Sequence, residues 1–146
     1  MKIIVDSREQ LPYEFDGAME VSTLATGDYS LAGVGDAVAI ERKTIDDLVG
    51  CLTKDRERFK QCLQRGKGLD YFALVIEASL SDLLNGRYWS DMHPNAAVQS
   101  LLAMSVRYRL PIFFTENREL GQLVTESLLE KYARMVRKQV KLIWEV

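Results

Sequence analysis

A glycine-containing turn between two alternating segments constrains the fold of this chain more than any other feature of its sequence. The turn is GVGD at 33–36, and its glycines supply the backbone freedom that a tight reversal needs. A hairpin that is symmetric about this turn places Asp28 opposite Glu41. The sequence therefore predicts two acidic side chains lying side by side on neighbouring strands.

Side-chain alternation supports this register, because a slip by one residue would exchange the two faces of the hairpin. In the predicted register one face is apolar, and it consists of Tyr29, Leu31, Val38 and Ile40. The other face carries Asp28, Ser30, Ala39, Glu41 and Lys43. This separation of apolar from polar side chains favours the predicted pairing.

Two carboxylates held this close need a compensating charge or proton. Directly opposed strand residues have Cβ atoms about 4.5–5.5 Å apart, and like charges there are destabilising. Such a pair either shares a proton or binds a cation, and oxygen ligands with room for water suit Mg²⁺ or Mn²⁺. Lys43, on the same face, could contact a phosphate or orient a water molecule. The spacing alone leaves open an exposed hairpin on which Glu41 and Lys43 are merely solvated.

The rest of the chain alternates predicted strands with predicted helices, a pattern typical of an α/β domain with a central mixed sheet flanked by helices. We expect strands at 2–5, 19–24, 71–77 and 111–115, and helices at 45–52, 55–65, 95–108 and from 117 into the 130s. The final KLIWEV is expected to be a closing strand or a packed tail. Because the chain has 146 residues, 47% of them apolar, we expect one domain over 1–146.

Composition and sparse residue types exclude several classes of protein. No apolar run has the length of a membrane span, and charges come too early for a signal peptide, so we expect a soluble, cytoplasmic protein. His93 is the only histidine, which argues against a zinc site or a histidine-based triad. Cys51 and Cys62 fall on apolar helix stripes, which predicts buried thiols rather than a disulfide or a metal pair. The net charge of −2 conceals basic clusters at 54–67 and 131–141, each typical of a solvated helix face.

A longer string of residues resembles a known nuclease motif. GDYS at 27–30, followed by VAIERKTIDDL at 38–48, is similar to the GDx(n)ERKx3D motif of the XPF/Hef family of structure-specific endonucleases, in the PD-(D/E)xK superfamily. The resemblance continues in IIVDSRE, KDRERFKQ, FALVIE and PIFFTEN, and so covers most of the chain. It implies a restriction-endonuclease-like fold and a single XPF/ERCC4-type nuclease domain without a helix-hairpin-helix module.

The resemblance also implies roles for individual residues. Asp28 and Glu41 would bind Mg²⁺ or Mn²⁺, Lys43 would assist catalysis, and Arg42 and Asp47 would belong to the active-site motif. Asp6 matches the first motif of the family, whose acid lies near the metal, and Arg8 and Glu9 follow it.

The residues themselves support these roles unevenly. Asp6 ends a strand at an edge where α/β folds build sites, but a loop carboxylate that caps nearby backbone is an alternative. Asp47 fits a helix-opening capping box with Thr44. Strand alternation turns Arg42 to the face opposite Glu41, so its role rests on the resemblance alone.

Further candidates lie outside the motif. Arg8, Arg56, Lys60 and Gln61 are predicted to contact DNA, with ordinary surface charge as the alternative. Glu77, at the end of its strand, is a weaker acid candidate that could instead cap a turn.

These observations predict a divalent-metal-dependent DNA endonuclease acting on branched or flapped DNA. Alternatives are a non-catalytic DNA-binding or scaffolding subunit, and a nuclease of the same fold that acts on RNA or on DNA ends. Retention of two opposed acids and a lysine argues against the scaffold. The resemblance further implies a homodimer or heterodimer, with a separate DNA-binding or helicase partner.

Overall fold

The computed structural model describes residues 1–145 and has a six-stranded mixed sheet with helices on both faces. The strands are β1 Lys2–Asp6, β2 Ala18–Ser22, β3 Tyr29–Leu31, β4 Val38–Lys43, β5 Tyr71–Ile76 and β6 Ile112–Phe114. The helices are α1 Ile45–Leu52, α2 Arg56–Lys67, α3 Leu80–Leu84, α4 Pro94–Tyr108 and α5 Arg118–Trp144. None of these helices combines the length and the apolarity needed to cross a bilayer.

Strand direction brings three chain segments to one end of the sheet. The strand order is β2-β1-β3-β4-β5-β6, and β3 is antiparallel to both of its neighbours. Strands β4, β5 and β6 are parallel, as are β1 and β2. The end of β1, the start of β3 and the end of β4 therefore meet. The Asp6 N–H donates to the Asp28 carbonyl oxygen over 2.8 Å at this meeting point.

The predicted hairpin register is confirmed. Tyr29 lies opposite Ile40, and the Asp28 N–H donates to the Ile40 carbonyl oxygen over 2.9 Å. Strand β4 also pairs with β5, so the hairpin lies within the sheet and the alternative of an exposed hairpin is wrong. Alternation is confirmed as well: Ile40 packs in the core beneath α5, whereas Ala39 packs in the core beneath α1, α2 and α4.

Two elements differ from expectation. Helix α5 continues through Trp144, so a closing strand or packed tail for KLIWEV is wrong as far as residue 145, and Val146 lies outside the described residues. Because no glycine or proline follows Gly121, helix propagation costs less than termination there. The short helix α3 was not predicted. His93 caps α4, its Nδ1 accepting the Asn95 N–H over 3.2 Å.

Candidate active site

At the meeting point of the strands lies one cavity of about 610 Å³, the acid-lined cavity, on which Asp28, Glu41 and Lys43 converge. Gly27 makes this convergence possible. Its φ of +85° is one that side-chain-bearing residues rarely adopt, and an added Cβ would lie 2.6 Å from the Ala39 Cβ. A glycine at this position therefore lets β3 begin against β4 with Asp28 directed at the cavity.

Glu41 is a buried carboxylate in a crowded charge environment. Its Oε1 lies 3.6 Å from the Lys43 Nζ, and its Oε2 accepts a hydrogen bond from the Cys62 Sγ over 3.5 Å. Burial and the neighbouring Asp28 carboxylate raise the pKa of Glu41 to about 8, although Lys43 lowers it in part. Burial by itself would lower the pKa of Lys43, but Glu41 together with Cys51 and Asp28 outweighs burial and raises that pKa. The single positive charge of Lys43 therefore offsets only part of the negative charge that Asp28 and Glu41 carry when both are ionised.

This donor set fits a small, hard cation. The Asp28 Oδ2 accepts the Arg42 N–H over 2.8 Å, which fixes the orientation of the carboxylate. Two carboxylates beside open space suit Mg²⁺ or Mn²⁺, which take one or two protein carboxylates and complete their shell with water and phosphate. Within residues 1–145 no group of three or more His, Cys, Asp or Glu side chains is arranged to enclose a metal ion. The acid pair, rather than a protein cage, is the feature that fits.

Asp6 lines the same cavity, but its oxygens already have partners. Arg8 donates to both carboxylate oxygens, over 3.1 and 3.3 Å, and the Leu24 N–H donates over 2.9 Å. Burial would raise the pKa of Asp6, but these hydrogen bonds outweigh burial and lower it. Asp6 therefore caps loop backbone, as the alternative interpretation expected, and its role towards a metal stays a prediction.

Arg42 lies on the opposite face of the sheet, as alternation predicted. Its guanidinium donates to both oxygens of Glu77, over 3.1 and 3.3 Å, and to the Leu11 carbonyl oxygen over 2.9 Å. The guanidinium carbon stands 4.4 Å from the centre of the Tyr13 ring, and the side chain is only 9% exposed. Arg42 is a positioning residue that ties β4 to β5 and to the segment after β1. Glu77 is its ion partner rather than a turn cap.

Asp47 lies in the first turn of helix α1, at the edge of a second cavity of about 330 Å³ that Lys43 also lines. The predicted N-cap is confirmed, since the Thr44 Oγ1 accepts the Asp47 N–H over 3.2 Å. In residues 1–145 the reciprocal capping box forms at Ser79 and Asp82 and not at Thr44 and Asp47. The exposed Asp47 side chain lines this second cavity with Asp28 and Lys43 and does not line the acid-lined cavity.

The basic helix α2 turns towards the acids different residues from those predicted to contact DNA. Arg58 and Arg65 line the acid-lined cavity, and the Arg65 Nε donates to the Thr26 Oγ1 over 3.3 Å. Arg56 instead donates to the Leu52 carbonyl oxygen and to Ser100 of α4.

Lys60 pairs with Glu57 on the surface, and Gln61 is exposed; neither lines the acid-lined cavity. Helical spacing from the buried Phe59 and Leu63 would have separated Arg58 and Arg65 from Arg56 and Lys60. The sequence carried no signal for which side faces the acids.

Both cysteines are free thiols. They are half-buried and line the acid-lined cavity, a position that the apolar stripes did not reveal. Burial and Glu41 raise the pKa of the Cys62 thiol to about 12, which keeps it protonated and able to donate to Glu41.

The mixed sheet covered by helices on both faces, with paired acids and a lysine at one end of its strands, has a restriction-endonuclease-like fold. More particularly, the chain belongs to the ERCC4 domain family, whose family model matches residues 5–127. The XPF/Hef resemblance is therefore confirmed.

Individual relatives agree with this assignment. A Methanocaldococcus jannaschii protein named as an ATP-dependent RNA helicase is 34% identical over 145 residues, which is 97% of this chain and 16% of that protein. XPF from Aeropyrum pernix superposes with a TM-score of 0.70 at 20% identity, covering 90% of this chain and 61% of that one. The same protein in complex with DNA gives 0.71 at 21% identity, over 91% and 65% of the two chains. The chain thus spans only part of the length of each relative.

Proposed function

We propose that this domain hydrolyses phosphodiester bonds of DNA at branched or flapped sites, with Mg²⁺ or Mn²⁺ as its cofactor. The observation that carries the proposal is the convergence of Asp28, Glu41 and Lys43 on one cavity that has arginines on its wall. Membership of the ERCC4 domain family supports the same activity.

The acid pair and the lysine have separable roles in this proposal. Asp28 and Glu41 would hold the ion, and when bound it supplies Lewis acidity towards a phosphate oxygen and towards water. Lys43 is held beside Glu41 with its charge favoured, so it can stabilise negative charge that develops on the phosphate, or orient the attacking water. Arg42 acts indirectly, because its backbone N–H fixes Asp28 and its side chain anchors β4.

Phosphate contacts would come from the arginines that face the acid-lined cavity. Arg8, Arg58 and Arg65 line it, and the side chains of Arg8 and Arg58 are largely exposed. Arginine presents a fork of donors that matches phosphate oxygens, so these residues can hold the strand on either side of the scissile bond. A site with so few phosphate contacts binds DNA weakly and with strong salt dependence.

Partners follow from the same proposal. This chain covers only part of the length of each relative, and one relative is named as a helicase. We therefore propose that this domain works together with a DNA-binding or helicase module. The exposed apolar side chains late in α5, among them Val140 and Ile143, support pairing with a second subunit. The expectation of a single domain over 1–146 belongs to this proposal as well.

A cleavage assay tests the proposal. The protein is incubated with flap, fork and linear duplex DNA, with Mg²⁺ or Mn²⁺, beside Asp28→Asn and Lys43→Ala. Asp36→Asn, at an exposed turn acid, is the matched control. Cleavage that both site variants abolish while DNA binding persists supports the enzyme. Absence of cleavage on every substrate favours a scaffolding subunit, and digestion from ends alone favours an end-directed nuclease.

A further inference from the structure

Two exposed apolar side chains lie on segments that adjoin the site, and the proposed chemistry uses neither. Trp89, in the loop 85–93 between α3 and α4, is 95% exposed. Leu11, in the segment between β1 and β2, is 80% exposed. Single exposed apolar side chains are common on protein surfaces, so the position of these two relative to the cavities decides what they can contact.

The exposure of Trp89 results from a fixed loop. Its backbone N–H donates to the Asp46 Oδ1 over 2.8 Å, and Asp46 is the neighbour of Asp47, which lines the second cavity. On either side, Tyr88 and Met92 pack on the core, and the Tyr88 hydroxyl donates to the Met92 carbonyl oxygen over 2.7 Å. The core therefore retains the neighbours of Trp89 while the indole stays in solvent, on a loop that is bonded to the first turn of α1.

Leu11 is presented in a similar way, at a backbone cost. Its φ is +50°, a conformation that a branched side chain disfavours, and it precedes Pro12, which disfavours helical conformations further. The Arg42 guanidinium holds this conformation by donating to the Leu11 carbonyl oxygen. Leu11 lines the second cavity together with Arg8, Lys43 and Asp28. A costly backbone thus places an apolar side chain in the wall of the site.

We propose that Trp89 and Leu11 contact bases that are left unpaired next to the scissile phosphate. This inference rests on the proposed function and names the part of the substrate that the apolar groups bind. Arg8 lines both cavities and can bind phosphate oxygens. An indole and an aliphatic side chain instead pack against the flat face of a base. Bases inside a duplex are stacked on their neighbours and offer no face, so these contacts select nucleotides that a branch or a flap leaves unpaired.

Tryptophan fluorescence tests this contact without requiring cleavage. The chain has two tryptophans, so Trp144→Phe leaves Trp89 as the only indole, and Asp28→Asn prevents cleavage. This double variant is titrated without metal with a flap, a single strand and a blunt duplex of equal length. Quenching by the flap and the single strand at concentrations where the duplex has little effect is expected. The matched control, Trp89→Phe, keeps only Trp144 at the far end of α5, and its fluorescence should not respond.

Binding measurements separate the two residues from a merely structural role. Trp89→Ala should weaken binding to the flap by roughly 5- to 100-fold and duplex binding by less than about twofold, and Trp89→Phe should recover most of the loss. Leu11→Gly removes the side chain and relieves the positive φ, so the variant should fold and lose preference for the flap.

The outcomes distinguish this inference from the proposed function. Quenching by unpaired DNA in a protein that cleaves nothing would support the base contact and overturn the nuclease. Cleavage without quenching of Trp89 would support the nuclease and overturn the base contact. A response of Trp89 to protein concentration, with none to any DNA, would assign the indole to a protein interface and overturn the inference.

Discussion

Removing divalent metal should make the stability of this domain fall as pH rises, because Glu41 binds a proton more tightly in the folded state than in the unfolded state. Burial and Asp28 raise the pKa of Glu41 from its ordinary value of 4.5 to about 8. Stability contributed by the protonated form is fully present below pH 4.5 and is lost as pH rises through 8. The free energy of unfolding should fall by up to about 1.4 kcal/mol per pH unit within this window.

Urea unfolding in chelator at several pH values measures this effect. Between pH 5 and 7 the wild type should lose about 2–3 kcal/mol. Glu41→Gln should flatten most of the dependence, whereas the exposed turn variant Asp36→Asn should keep it. Added Mg²⁺ or Mn²⁺ should stabilise the wild type more at high pH than at low pH, because it binds the ionised pair. Constant or rising stability in chelator, or an unchanged slope in Glu41→Gln, would refute the assignment of two crowded carboxylates.

Three further variants probe the surroundings of the site. Arg42→Met should lower the free energy of unfolding by about 3–5 kcal/mol, because it leaves the Glu77 carboxylate buried with the Tyr13 hydroxyl but without a cation; a loss below about 1 kcal/mol in urea unfolding would contradict the role assigned to the pair. Gly27→Ala should cost about 2–5 kcal/mol, since it combines an unfavourable φ with a close contact to the facing strand, and thermal unfolding at constant pH would detect this. Arg65→Ala should reduce the slope of log affinity against log salt by about 1 in a DNA-binding titration, whereas Lys60→Ala should leave the slope unchanged. Equal changes of slope in Arg65→Ala and Lys60→Ala would show that the phosphate contacts do not depend on facing the acid-lined cavity.

The sequence by itself determined the local part of the site. The glycine turn and the alternation of side chains were sufficient to pair Tyr29 with Ile40 and to direct Glu41 and Arg42 to opposite faces. The N-cap at Thr44 was equally predictable. Each of these features depends on sterics and hydrogen bonds between residues close along the chain, so a one-residue error would have been visible in the pattern itself.

Tertiary packing decided the rest. The choice of Arg65 over Lys60 depends on how α2 lies against the sheet, and the partner of Arg42 is Glu77, 35 positions along the chain. The bond between Trp89 and Asp46 likewise joins residues that are 43 positions apart. A helix can be recognised from its periodicity, but the direction of its polar sides is set by the elements it packs on, and those contacts form only when distant segments bury their apolar faces together.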